Sequence, residues 1–90
     1  MLYIAVVDHE KTHRDILVRY VEEWKRDTHR EIEVKSYDSG EAFYFAWCED
    51  QRCDVLFLDI MMEETDGISL ARKLREKGKD IVIIFTTGIA

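Results

Sequence analysis

Residues Val55–Gly67 read VLFLDIMMEETDG: four apolar residues that stop at an acid, then a polar loop ending in Asp-Gly. A short, wholly apolar run bounded this way fits a strand covered on both faces, with Asp59 marking its carboxyl end. Asp66 is placed to cap a following helix with Leu70, Ala71 and Leu74 on its inner face, and Gly78 suits its stop. Upstream, Leu2–Val7 is a second continuous apolar run, ending abruptly at Asp8, His9 and Glu10. From about Lys11 to Arg26 the residues Ile16, Leu17, Tyr20, Val21 and Trp24 form one apolar stripe of an amphipathic helix. From 31 to 37 the chain alternates, with Ile32, Val34 and Ser36 on one side and Glu31, Glu33 and Lys35 on the other, as in a half-exposed edge strand. Asp38 with Glu41 three residues on resembles a capping box, and Ala42, Phe43, Ala46 and Trp47 repeat at helical spacing toward Glu49. Downstream, 81–85 is a last β-branched and aromatic strand, which runs into Thr86, Thr87 and Gly88.

The order is βαβαβαβ, which with apolar central strands implies an α/β architecture: a parallel sheet carrying helices on both faces. In open sheets of this kind ligands meet the carboxyl ends of the strands, near the switch in strand order. Ninety residues allow one small domain. Hydrophobic residues at 47% are too many for a disordered chain, and a net charge of −6 argues against direct nucleic-acid binding, which needs clustered Lys and Arg. No apolar run reaches membrane-spanning length and no leader pattern precedes the first strand, so the expected compartment is the cytoplasm. Cys48 and Cys53 match neither a redox pair nor a zinc half-site and are expected to be reduced, largely buried thiols. Trp24 and Trp47 are expected in the core; His13 and His29 are expected to be solvated.

Three polar clusters thus follow three apolar strands: Asp8, His9 and Glu10; Asp59; and Thr86, Thr87 and Gly88. Two carboxylates about 4 Å apart repel by roughly 4 kcal/mol at an effective dielectric near 20, which a cation would relieve. Mg²⁺ takes a few carboxylate or carbonyl oxygens, waters and phosphate oxygens, so the clusters suit metal-assisted phosphoryl transfer. Asp59 is the natural nucleophile, because a carboxylate can form an aspartyl-phosphate.

At these positions the chain resembles a bacterial response-regulator receiver domain of a two-component system. IAVVDHE is similar to the family's first-strand motif, VLFLDIMMEETDG to its phosphoacceptor motif and IIFTTG to its fourth-strand motif. The wording is closest to receivers that precede a LytTR-type DNA-binding domain. The resemblance implies a flavodoxin-like doubly wound sheet of which residues 1–90 are the N-terminal portion, with the fourth helix onward missing. It implies that Asp59 is the phosphoacceptor, that Asp8 and Asp59 bind Mg²⁺ with the backbone carbonyl of Met61, that Thr87 is the switch hydroxyl and that Gly88 leaves room beside the phosphoryl group. Thr86 should then point to the other face. The implied partners are a histidine kinase and an output domain absent from this chain, so the chain would be a signalling domain and not an enzyme.

His9 departs from the family pattern, since an acid that touches the metal normally stands there. Imidazole is a poor Mg²⁺ ligand and a better one for softer ions, so weakened Mg²⁺ binding is expected, with Mn²⁺ as an alternative and His9 as a ligand. His9 also keeps a second reading open, a pseudo-receiver that signals by binding without phosphorylation. Glu63 stands where the family's loop has proline, and no fifth-strand lysine is present. An uncovered fourth strand would offer its edge for association or dimerisation. A phosphohydrolase would need an acid where Met61 stands, and a nucleotide-binding fold would need a glycine-rich loop after the first strand.

Overall fold

The computed structural model describes residues 1–60, 67–77 and 80–86. Its elements are β1 (Leu2–Val7), α1 (Lys11–Thr28), β2 (Ile32–Tyr37), α2 (Gly40–Glu49), β3 (Val55–Asp59), α3 (Gly67–Glu76) and β4 (Val82–Thr86). The strands form one parallel sheet in the order β2-β1-β3-β4. The chain therefore winds outward from β1 in both directions, and the expected α/β architecture holds, with β2 at one edge.

Alternation along the strands sends side chains to two layers. Ala5, Val7, Leu56, Leu58 and Ile81 pack with Phe43 and Trp47 of α2 and with Leu70 and Leu74 of α3. Ile4 and Ile32 pack on the opposite face with Val21 of α1. Burying each large apolar side chain contributes about 1.5–3 kcal/mol, so the first layer carries most of the stability.

Several local expectations are corrected. The N-cap of α2 is Ser39, whose Oγ accepts the Ala42 N–H at 3.0 Å, and not Asp38. Helix α1 runs two residues beyond Arg26, where Thr28 Oγ1 donates to the Trp24 carbonyl at 2.7 Å and His29 turns into the left-handed region at φ 56°. Cys48 is exposed and Cys53 only half-buried, because Cys48 follows Trp47 onto the outer face of α2. Trp24 is 40% exposed and Tyr20 more so, since α1 leaves an apolar groove open beside β1 and β3. The proposed cap Asp66, the helix stop Gly78 and the loop residue Glu63 lie outside the described residues.

Candidate functional site

The register of β1 against β3 pairs Val7 with Leu58, so the next residue on each strand, Asp8 and Asp59, emerges beside the other at the carboxyl edge of the sheet. Both acids are buried, at 1% and 0% exposure. This edge lies where the strand order reverses between β1 and β3, the place at which open α/β sheets bind ligands.

Backbone and side-chain contacts hold the first acid. The Asp8 N–H donates to the Tyr37 carbonyl at 3.2 Å, and Asp8 Oδ1 accepts the Glu10 N–H at 2.9 Å. Arg14, one turn into α1, donates from Nη1 to the Asp8 backbone carbonyl at 2.8 Å. The turn out of β1 is thereby closed, and the carboxylate is fixed in direction.

His9 follows on the open side of the pocket. Its Nδ1 lies 3.2 Å from Asp59 Oδ2 and 3.8 Å from Asp8 Oδ1, the first a hydrogen bond in which Nδ1–H donates and the second a longer contact. The other ring nitrogen faces Glu10 Oε1 at 3.7 Å. One ligand atom each from Asp8, His9 and Asp59 lies within 4.8 Å of the others.

His13 is corrected from a solvated helix residue to a member of this cluster. Its Nδ1 is 3.4 Å from Asp8 Oδ2 and its Nε2 is 3.4 Å from Glu10 Oε2. The Nδ1 atom is buried and has no hydrogen-bond partner among the described residues, so the contact to Asp8 is one of proximity without hydrogen-bond geometry. A signal was present in the sequence: His13 stands three residues after Glu10, the i,i+3 spacing that brings two side chains together at the start of a helix.

Thr86 pairs with Asp59 across β3 and β4, and its carbonyl accepts the Ile60 N–H at 3.0 Å. Its side chain lines a cavity of about 160 Å³ on the α1 side, with Asp8, His13, Ile16 and Leu17, and its hydroxyl has no hydrogen-bond partner among the described residues. Met61, Thr87 and Gly88, the other expected site residues, lie outside the described residues.

Two buried carboxylates converging on one point suit a hard cation and a phosphoryl group. The third donor, an imidazole, does not suit Mg²⁺. The donor set therefore fits Mg²⁺ at two positions of three.

Comparison with known proteins adds the following. The family model described as "Response regulator receiver domain" matches residues 4–90. The chain is 36% identical over 89 residues to the cyclic di-GMP phosphodiesterase response regulator RpfG of Xanthomonas campestris, covering 96% of this chain and 22% of that protein. It is 30% identical over 88 residues to the sensory transduction protein LytT of Bacillus subtilis, covering 98% of this chain and 34% of that protein. Both relatives are thus much longer than the span they share with this chain. Among solved structures, the Vibrio cholerae chemotaxis protein CheY4 superposes with a TM-score of 0.82 over 100% of this chain and 71% of that one. At 17% identity that likeness shows the fold alone. No helix among the described residues is long and apolar enough to cross a membrane.

Proposed function

We propose, from the premise that this chain belongs to the response regulator receiver domain family, that Asp59 accepts a phosphoryl group from a histidine kinase and relays the signal to an output domain elsewhere in the protein. The observation that carries the proposal is the burial of Asp59 beside Asp8 at the switch in strand order. A carboxylate oxygen of Asp59 attacks phosphorus, the bond from phosphorus to the kinase imidazole breaks, and the imidazole leaves with the electron pair. Bound Mg²⁺ would supply charge neutralisation for the incoming phosphoryl oxygens, held by Asp8, Asp59 and the Met61 carbonyl, with Mn²⁺ better suited to His9. Asp8 keeps its direction through the Glu10 N–H, and Arg14 fixes the turn on which it sits. Thr87 would hydrogen-bond the transferred group and Gly88 would leave room beside it, so that the pocket reports its state through β4.

The output is proposed to be transcriptional and of the LytTR type, on the similarity to LytT and to LytR of Streptococcus mutans. The domain itself would act in the cytoplasm as a phosphoacceptor and not as a turnover enzyme.

Intact-mass measurement after incubation with acetyl phosphate and either Mg²⁺ or Mn²⁺ tests this. An adduct of about 80 Da in the wild type, absent from Asp59→Ala, is expected, with stronger dependence on Mg²⁺ concentration than in His9→Asp. No adduct with either ion in the wild type, with labelling regained in His9→Asp, would instead make the chain a pseudo-receiver. In that case the hydrogen bond from His9 to Asp59 blocks the nucleophile.

A further inference from the structure

We infer that Asp8, His9 and Asp59 form a binding site for a zinc-class divalent transition ion, and that this ion competes with phosphorylation of Asp59. The inference deepens the reading above by naming a regulator of the same pocket, and rests on that reading only for the competition.

The spacing of the donors comes first. His9 Nδ1 stands 3.2 Å from Asp59 Oδ2 and 3.8 Å from Asp8 Oδ1. Tetrahedral zinc with bonds of about 2.0–2.1 Å has ligand-to-ligand edges of about 3.4 Å, between these two distances. Octahedral Mg²⁺ has adjacent donors about 2.9 Å and opposite donors about 4.1 Å apart, so the spacing admits either ion and the type of donor decides between them.

Donor chemistry separates the two ions. Imidazole selects zinc, cobalt and nickel over magnesium. Two carboxylates and one neutral imidazole around a doubly charged ion sum to zero, which suits a pocket whose two acids are buried. His9 is 41% exposed, so the ion has an entry path and keeps one position open to water, the arrangement of three protein ligands and a solvent site.

A supporting shell is also in place. A metal-bound histidine usually directs its other nitrogen to a carboxylate that orients the ring. His9 Nε2 faces Glu10 Oε1 at 3.7 Å, and Glu10 Oε2 is in turn 3.4 Å from His13 Nε2. His13 Nδ1 reaches back to the second oxygen of Asp8 at 3.4 Å. Glu10 and His13 are therefore positioning residues. His9, Glu10 and His13 have the spacing of a His-Glu-x-x-His metalloprotease helix, but α1 begins at Lys11. His9 precedes the helix, and the two imidazoles flank the carboxylates without sharing one helix face.

Untagged full-length protein titrated with Co²⁺ and followed by visible absorption tests the site directly. Expected are intense bands of four- or five-coordinate cobalt that saturate at one ion per chain, are displaced by Zn²⁺ and persist in equal Mg²⁺. His9→Ala should weaken Co²⁺ binding at least about tenfold, Glu10→Gln about tenfold, and His9→Asp should lower the preference for Zn²⁺ over Mg²⁺ at least about tenfold. Weak bands of six-coordinate cobalt, or equal affinity in wild type and His9→Ala, would overturn the site. The mass-based labelling assay in Mg²⁺ then tests competition. Stoichiometric Zn²⁺ should suppress the Asp59 adduct in the wild type, and an adduct unchanged by Zn²⁺ would overturn the competition. No labelling under any condition with the cobalt bands intact would overturn the phosphoacceptor reading while supporting the metal site.

Discussion

Cys53 sits half-buried behind β3, and its thiol is pushed up to about 11, first by burial and then by the neighbouring charge of Asp54. At pH 8 only about one such thiol in a thousand is a thiolate, the form that reacts. Cys48 is exposed on α2. Alkylation by iodoacetamide at pH 8 should therefore modify Cys48 first, with Cys53 reacting at least tenfold more slowly until denaturant is added; peptide mass mapping over time checks this. At the far end of the sheet, Arg52 grips Asp50 at 2.6 Å and holds its carboxyl down to about 2. Both residues are solvent-exposed, so the pair orders the turn into β3 without adding much stability. The exposure of Cys48 was not legible in the sequence, and of the surroundings of His13 only its spacing from Glu10 was, because the rest is set by how the elements pack. Asp8 and Asp59 were legible, since each ends an apolar run.

Helix α3 approaches β3 closely at Gly67. A Cβ there would come within 2.6 Å of the Asp59 carbonyl oxygen and 3.2 Å of the Ile60 Cα. Backbone atoms cannot yield as a flexible side chain does, so Gly67→Ala must push the helix start away from the end of β3. The expected cost is about 1–3 kcal/mol of stability, read as a lowered urea midpoint, together with a displaced Asp59. Nothing local in the sequence marks Gly67 for this contact, and its partner became visible only when β3 and α3 were packed. The apolar stripe of α1 was legible as a stripe. Its depth of burial was not, because periodicity shows which face turns inward and says nothing about how completely the sheet and neighbouring helices cover it. Only Val21 of that stripe is buried, and with it Leu17, Tyr20 and Trp24 line a groove of about 390 Å³ together with Leu2, Ile4, Val55 and Phe57.

Across the whole molecule, β4 is the edge of the sheet opposite β2 among the described residues, and Val82, Ile84 and Phe85 on it are exposed. An apolar edge with unpaired backbone groups favours association between chains. Sedimentation of the 90-residue chain should show a mean mass that rises with concentration, and Ile84→Lys should reduce that rise at least several-fold. A single monomeric species at all concentrations would contradict it. By itself the sequence determined the seven elements, the parallel α/β architecture and the placing of polar clusters at strand ends, because burial on both faces writes itself locally as unbroken apolar runs. Only the tertiary structure decided which clusters meet. Strand order and the pairing of Val7 with Leu58 are agreements between distant segments; they place Asp8 beside Asp59, turn His9 onto both, and draw His13 from the flank of α1 into the same pocket.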